Sequence, residues 1–183
     1  LESLVPPLVD EVGDYATKYG KEIPIVAGGG IYTGSDIRKM LAMGADAVQM
    51  GTRFVATHEC DADESFKQTY VNSTADDIVI IKSPVGMPGR AIRNRYIDDI
   101  NAGAKKPYKC PYHCISTCDY TNSPYCIAHA LMSAQRGHFN NGFAFAGANA
   151  YRVDKIISVK ELMSDLATEY EESAPVSSAP QIA

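Results

Sequence analysis

Apolar residues at Leu4, Leu8, Val12 and Tyr15 recur at helical spacing, and Gly20 follows where a C-cap glycine is expected, so the pattern predicts an amphipathic helix over 4–19. A short apolar run rich in β-branched residues, 23–27, then runs into three glycines, Gly28, Gly29 and Gly30, and reads as a buried parallel strand entering a tight loop. Thr33 or Ser35 can cap a second helix through Met43, with Ile37, Met40 and Leu41 on its inner face and Gly44 as its stop. A second apolar strand, 47–50, leads into Gly51, Thr52, Arg53 and Phe54, and a further helix is predicted over 63–71.

Strand, glycine turn, helix, strand, glycine turn and helix form the βαβα order of an α/β fold, a parallel sheet covered by helices. Beyond it the regular pattern stops. Residues 77–82 read as one extra strand, 84–95 as a Gly/Pro/Arg-rich loop over a site, 108–126 as a cysteine-rich loop and 127–135 as a helix. Residues 137–149 are rich in Gly and Asn, and a last helix over 158–170 is capped by Ser158 with Glu161 at its third position. The Ser/Pro/Ala-rich tail from Ser173 is expected to be disordered. The organisation expected is thus 1–76 as βα units, 77–172 as an added, mainly helical region with the cysteines, and 173–183 as tail. No fixed-period repeat or heptad is present.

The net charge of -5 is modest, and apart from Glu169, Glu171 and Glu172 the acidic residues are dispersed, so no basic face for nucleic acid is indicated. No apolar run approaches the roughly 18 residues of a membrane helix, and the N-terminus lacks the signature of a signal peptide. A cytoplasmic protein with a small-molecule substrate is expected.

The two strand ends lie about 20 residues apart, the length of one βα unit, and are expected to be neighbours. Glycines there let backbone N–H groups approach a ligand, and the following helix end adds positive potential for a phosphate. In (β/α)8 barrels this is the recurrent phosphate site after the seventh and eighth strands. The plainer alternative is that these glycines only make tight turns. A complete barrel needs about 250 residues, so on the barrel reading part of it lies upstream of Leu1.

The run Ile-Pro-Ile-Val-Ala-Gly-Gly-Gly-Ile at 23–31, followed by Leu-Ala-Met-Gly-Ala-Asp-Ala-Val-Gln-Met-Gly-Thr-Arg-Phe at 41–54, resembles the nitronate monooxygenase (2-nitropropane dioxygenase-like) family, to which flavin-dependent enoyl-ACP reductases are related. The resemblance continues through 83–94, similar to that family's Gly-Arg-x-x-Arg-Asn stretch, and more loosely through 142–147. It implies the C-terminal part of a TIM barrel that holds FMN without a covalent bond. The phosphate would lie on the backbone of Gly29, Gly30, Gly51 and Thr52, with Gln49 and Met50 beside the flavin edge. The family's catalytic His lies upstream of these motifs, and that role is carried onto none of His58, His113, His129 and His138. Arg90, Arg93 and Arg95 offer forked donors for paired oxygens, or serve as ordinary surface arginines.

Four of the five cysteines fall within 17 residues, as Cys110, Cys114, Cys118 and Cys126. In a cytoplasmic chain such density points to metal ligation, by an iron–sulfur cluster or zinc, or to free or redox thiols, and His113 is a substitute ligand. The spacing is not that of paired zinc knuckles. Cys60, His129 and His138 read as ordinary residues.

The leading expectation is therefore an FMN-dependent oxidoreductase that oxidises nitronates with O2. The alternatives are an NAD(P)H-dependent reductase of enoyl thioesters or quinones on the same barrel and, in another class, a non-catalytic metal-binding fragment. The open edge of its sheet would favour a homo-oligomer.

Overall fold

The computed structural model describes residues 1–104, 110 and 112–173. In chain order its helices and strands are α1 (Val5–Tyr19), β1 (Val26–Gly28), α2 (Gly34–Ala42), β2 (Ala47–Gln49), α3 (Thr52–Val55), α4 (Glu64–Val71), β3 (Ile78–Lys82), β4 (Pro88–Ile92), α5 (Arg95–Asn101), α6 (Ile127–Gln135) and α7 (Val159–Glu172). They group into two compact units, Leu1–Phe54 with the segment from Ser158 onward, and Val55–Ile157. The packing units differ in outline from a division at residue 76, because the final helix packs within the first unit.

In the first unit β1 and β2 run parallel, with Val26 opposite Ala47 and Gly28 opposite Gln49. Asp46 fastens the strand entrance: its carboxylate accepts the Ile25 amide at 2.7 Å, and the amides of Asp46 and Ala47 both donate to the Ile25 carbonyl. Val5, Ile25, Ala27, Met40 and Ala45 form the core, with Val9 and Val12 against it. The spacing at 4, 8, 12 and 15 found the first helix but not its buried stripe, since Leu4, Leu8 and Tyr15 are exposed while Val5, Val9 and Val12 turn inward. The strand expected to be buried throughout alternates instead: Ala27 is 3% exposed and Val26 57%, because the unit covers one face of the strand pair.

Thr33 is the α2 cap: its hydroxyl accepts the Asp36 amide at 3.1 Å while the Asp36 carboxylate accepts the Thr33 amide at 2.9 Å, a reciprocal capping box. Helix α7 lies directly on α2. A side chain at Gly34 would place its Cβ 2.2 Å from the Leu166 carbonyl oxygen and 2.3 Å from the Tyr170 nitrogen. Arg38 completes the contact by donating from Nε to the Tyr170 carbonyl at 2.8 Å and stacking on the Tyr170 ring at 4.1 Å.

In the second unit β3 and β4 form an antiparallel hairpin, Ile78 opposite Ile92 and Lys82 opposite Pro88. This corrects the reading of 84–95 as a loop, and α5, which that reading also hid, follows at once. The composition misled because Pro88 occupies the first strand position, where its missing N–H is harmless. Gly89 is required where the Phe145 ring comes to 2.4 Å from the position of a Cβ. On the other side of β4 the Ile92 amide donates to the Ala144 carbonyl and the Ala146 amide to the Arg90 carbonyl, each at 3.0 Å. Phe143, 1% exposed, sits at the centre of the core with Ile81, Ala91, Tyr96, Ile97, Tyr125 and Ala130. Edge-to-face contacts with Tyr125 at 5.9 Å and Phe145 at 5.2 Å surround it.

Asn94 caps α5 by accepting the Ile97 amide at 3.0 Å, and its Nδ2 donates to the Gly142 carbonyl at 2.8 Å. The Gly-Arg-x-x-Arg-Asn and Gly-Phe-Ala-Phe-Ala-Gly stretches are therefore joined in space by one side chain. Ser158 caps α7 through the Glu161 amide at 3.1 Å, as the sequence predicted, and Asp63, to which the sequence reading gave no capping role, caps α4 through the Ser65 amide at 2.9 Å. Lys67, 7% exposed, donates from Nζ to the carbonyls of Thr57 and Cys60 at 3.3 and 3.2 Å. Of the tail, only Ser173 lies within the described residues.

Two stability predictions follow from these contacts. Gly34→Ala inserts a methyl into backbone and is expected to destabilise by about 1–3 kcal/mol, read as a lower urea midpoint. Asn94→Ala removes a cap and the tie to Gly142 together; a loss of about 1–2 kcal/mol is expected, with Asn94→Asp, which keeps the cap acceptor but not the donor, falling in between.

Candidate functional site

Because β1 and β2 are parallel and end on the Gly28–Gln49 pair, the loops beginning at Gly29 and at Met50 leave from the same edge. The sequence-predicted neighbourhood of the two strand ends is present: a Cβ on Gly28 would stand 3.6 Å from Gln49 Oε1. Gly29 and Gly30 have φ of +104° and +73°, backbone that L side chains rarely adopt, so both are glycine for conformational reasons. Around Gly29, Gly30 and Gly51 no atom lies within 4 Å of a Cβ position. Gly29 and Gly30, with Ile31, Asp36 and Lys39, line an open cavity of about 420 Å³. Gln49, Met50, Gly51 and Thr52 do not line it; Thr52 opens α3.

The positive end of α2 is served by the protein itself. The Gly34 amide donates to Glu169 Oε2 at 2.7 Å, and Asp36 Oδ2 accepts the amides of both Tyr32 and Thr33 at 2.9 Å. The dipole contribution expected at this helix end thus goes to two carboxylates. Lys39 pairs with Glu2 at 2.5 Å. Arg53 ties the loop: it donates to the Tyr32 carbonyl at 3.2 Å, lies 4.7 Å from the Tyr32 ring centroid and stands 3.9 Å from Glu169 Oε1. Sequence reasoning assigned no role to Arg53, Glu169 or Tyr32, since their partners are more than 20 residues away and no local spacing marks them.

Of the three arginines singled out in the sequence, all exposed, Arg93 is engaged by Asp98 at 2.8 Å. In the second unit Cys110, Cys114, Cys118 and Cys126 border one small, partly open, largely apolar pocket of about 20 Å³, together with His113, Val85 and Tyr125, and Cys114 and His113 are exposed. None of the five cysteines is in a disulfide. Burial pushes the Cys118 thiol up, and the neighbouring Cys110, Cys126 and Cys114 push the same way. Among the described residues no three His, Cys, Asp or Glu side chains are placed to hold a metal ion, so the four-cysteine metal expectation is not met by ready-made coordination. No helix of the described residues is long and apolar enough to cross a membrane.

Two βα units with glycine loops at a shared strand edge define part of an α/β barrel, and solved structures agree. FabK from Thermotoga maritima matches with a TM-score of 0.70 and 27% identity over 93% of this chain and 49% of its own. A nitroalkane oxidase from Streptomyces ansochromogenes matches with a TM-score of 0.63 and 26% identity, over 94% of this chain and 44% of its own. The chain belongs to the nitronate monooxygenase family, whose profile matches residues 2–169. Members of that family are flavin-dependent enzymes. Among curated relatives, a probable nitronate monooxygenase from Staphylococcus aureus (strain Newman) is 36% identical over 99 residues, 54% of this chain. The match spans 25% of that relative's length.

Lys67 gives a check on the second unit. Lys67→Met strips the buried Thr57 carbonyl and the part-buried Cys60 carbonyl of this donor and is expected to cost roughly 1–3 kcal/mol, seen as a lowered thermal midpoint.

Proposed function

We propose that the protein is an FMN-dependent oxidoreductase acting on nitronates with O2, and that this chain supplies part of its cofactor cradle. The observation that carries the reading is the pair of consecutive positive-φ glycines, Gly29 and Gly30, at the end of β1, one residue past the register pair of Gly28 with Gln49. Backbone amides in a glycine turn of this kind are suited to an anion, since no side chain shields them. The lack of any atom near the Cβ positions of Gly29, Gly30 and Gly51 leaves room for a phosphate to approach the backbone. The residues present fit the group.

In this reading the amides of Gly29 and Gly30, with those of Gly51 and Thr52, hold the phosphate. Gln49 and Met50, on the strand that ends there, orient the ring system. Bound in this way, the flavin would take up electrons from the substrate. The tie of Arg53 to the Tyr32 carbonyl fixes the loop so that the amides need not reorganise on binding. No group of this chain is assigned the proton transfer.

A second reading, an NAD(P)H-dependent reductase of enoyl thioesters or quinones, is favoured by the extent of the likeness to FabK. The two part on the full-length protein: oxygen uptake on addition of a nitronate supports the first, and NAD(P)H oxidation that needs an enoyl thioester or quinone supports the second. In either case Gly30→Val is expected to weaken FMN binding at least about tenfold, or 1.4 kcal/mol, in a fluorescence titration. Unchanged affinity would remove Gly30 from the cradle.

A further inference from the structure

Strand β3, Ile-Val-Ile-Ile-Lys, is an unbroken run of β-branched residues up to its closing Lys82, and it pairs with β4 alone. The Asp77 carbonyl accepts the Arg93 amide at 2.7 Å, and this bond sets the alternation of the antiparallel ladder. Residues 77, 79 and 81 bond toward β4, while Ile78, Ile80 and Lys82 aim their amides and carbonyls the other way. Strand β4 obeys the same alternation: Ile92 and Arg90, opposite Ile78 and Ile80, bond outward to Ala144 and Ala146. Among the described residues no strand lies against the outer edge of β3.

Two of the groups on that edge are engaged locally. The Ile78 amide donates back to the Ala75 carbonyl of a short 3₁₀ turn, Ala75–Asp77, and the Lys82 carbonyl accepts the Tyr125 hydroxyl at 3.3 Å. Among the described residues no backbone partner meets the Ile78 carbonyl, the amide and carbonyl of Ile80, or the Lys82 amide. The Ile80 side chain is 62% exposed. The strand also carries opposite charges at its two ends, with exposed Asp76 just before it and exposed Lys82 as its last residue.

Open backbone groups beside β-branched side chains are a template for a further strand. This edge is complementary to itself. Laid antiparallel about a two-fold axis at Ile80, it sets Ile80 opposite Ile80 and Ile78 opposite Lys82. The two Ile80 residues then exchange amide and carbonyl, and each Lys82 amide meets the Ile78 carbonyl of the other copy. The groups that remain opposite each other are the Ile78 amide and the Lys82 carbonyl, the same two that already have partners, so nothing on either edge is left unpaired. The exposed Ile80 side chains cover one another, and the Lys82 end of each strand runs beside the Asp76 end of the other. A parallel arrangement would set like charges side by side.

We propose that two copies of this chain pair through their β3 edges, antiparallel and centred on Ile80, so that their sheets join into one. The contact uses the same patch on both copies and closes at a dimer. Its few backbone bonds and single pair of Ile side chains make it small, and the association is weak and reversible. The proposal does not rest on the flavin reading.

The test is sedimentation of the full-length protein over a series of concentrations, combined with hydrogen exchange of individual amides. The expected result is a monomer–dimer equilibrium in which the Ile80 and Lys82 amides gain protection as the dimer fills, a readout that depends on no variant folding. Ile80→Lys puts like charges opposite each other at an exposed position and should weaken association at least about tenfold. Lys82→Glu should weaken it as well, and adding Asp76→Lys to Lys82→Glu should restore it. Protection of the two amides that is equal at all concentrations would assign the edge to a segment of the same chain. A monomer at every concentration would leave the edge to solvent or to a different protein, and a dimer indifferent to Ile80→Lys would place the interface elsewhere. Each of these three outcomes overturns the proposal.

Discussion

The absence of a side chain at Gly34 is the constraint on which the first unit depends. With Leu166 and Tyr170 backbone where a Cβ would be, α2 and α7 meet at main-chain distance, and only at that distance can Glu169 reach the Gly34 amide. Glu169 in turn stands beside Arg53, and Arg53 holds the Tyr32 carbonyl. A helix more than 100 residues away in sequence thus helps set the path of the loop that follows β1. The contact is short-range steric fit first and electrostatics second: the Arg53–Glu169 separation of 3.9 Å, with the acid partly exposed, is worth little alone.

What the sequence revealed here was local. Ser158, and Thr33 as one of two candidates with Ser35, mark helix starts because a cap needs only a side-chain oxygen and an amide two or three residues on. Gly29 and Gly30 mark the end of β1 because φ above zero excludes other residues. β4 and α5 were hidden, since Pro88 and Gly89 are loop-forming by propensity and become strand residues only because Ile78–Lys82 and 144–146 flank them. Of the buried stripe of α1 only Val12 was legible: two apolar stripes share that helix, and tertiary packing selects Val5 and Val9 with it over Leu4, Leu8 and Tyr15. Arg53, Glu169 and Gly34 could not be linked before α7 was seen lying on α2.

The second unit shows the same dependence on distant partners. Gly142 admits no Cβ, because the Ala130 carbonyl oxygen lies 1.9 Å from that position. The chain passing over α6 there then inserts Phe143 into the core and runs beside β4. Asn94 reads that placement through the Gly142 carbonyl. The two loosely spaced motifs of this region are therefore one packing arrangement, and the exposed Arg93 of the first belongs to its rim, paired with Asp98.

The electrostatics around the glycine loop also bear on how an anion could be held. A phosphate at the end of β1 would lie near the cavity lined by Asp36, whose carboxylate, like that of Glu169, already occupies amides at the start of α2. The usual attraction of a helix N-terminus for anions is spent internally. Lys39, the one Lys or Arg among the described residues lining the cavity, is engaged with Glu2. Attraction must then come from short-range hydrogen bonds, and these are effective only where the backbone is already in place. On the proposed reading, the tie of Arg53 to the Tyr32 carbonyl would then serve this loop better than additional positive charge.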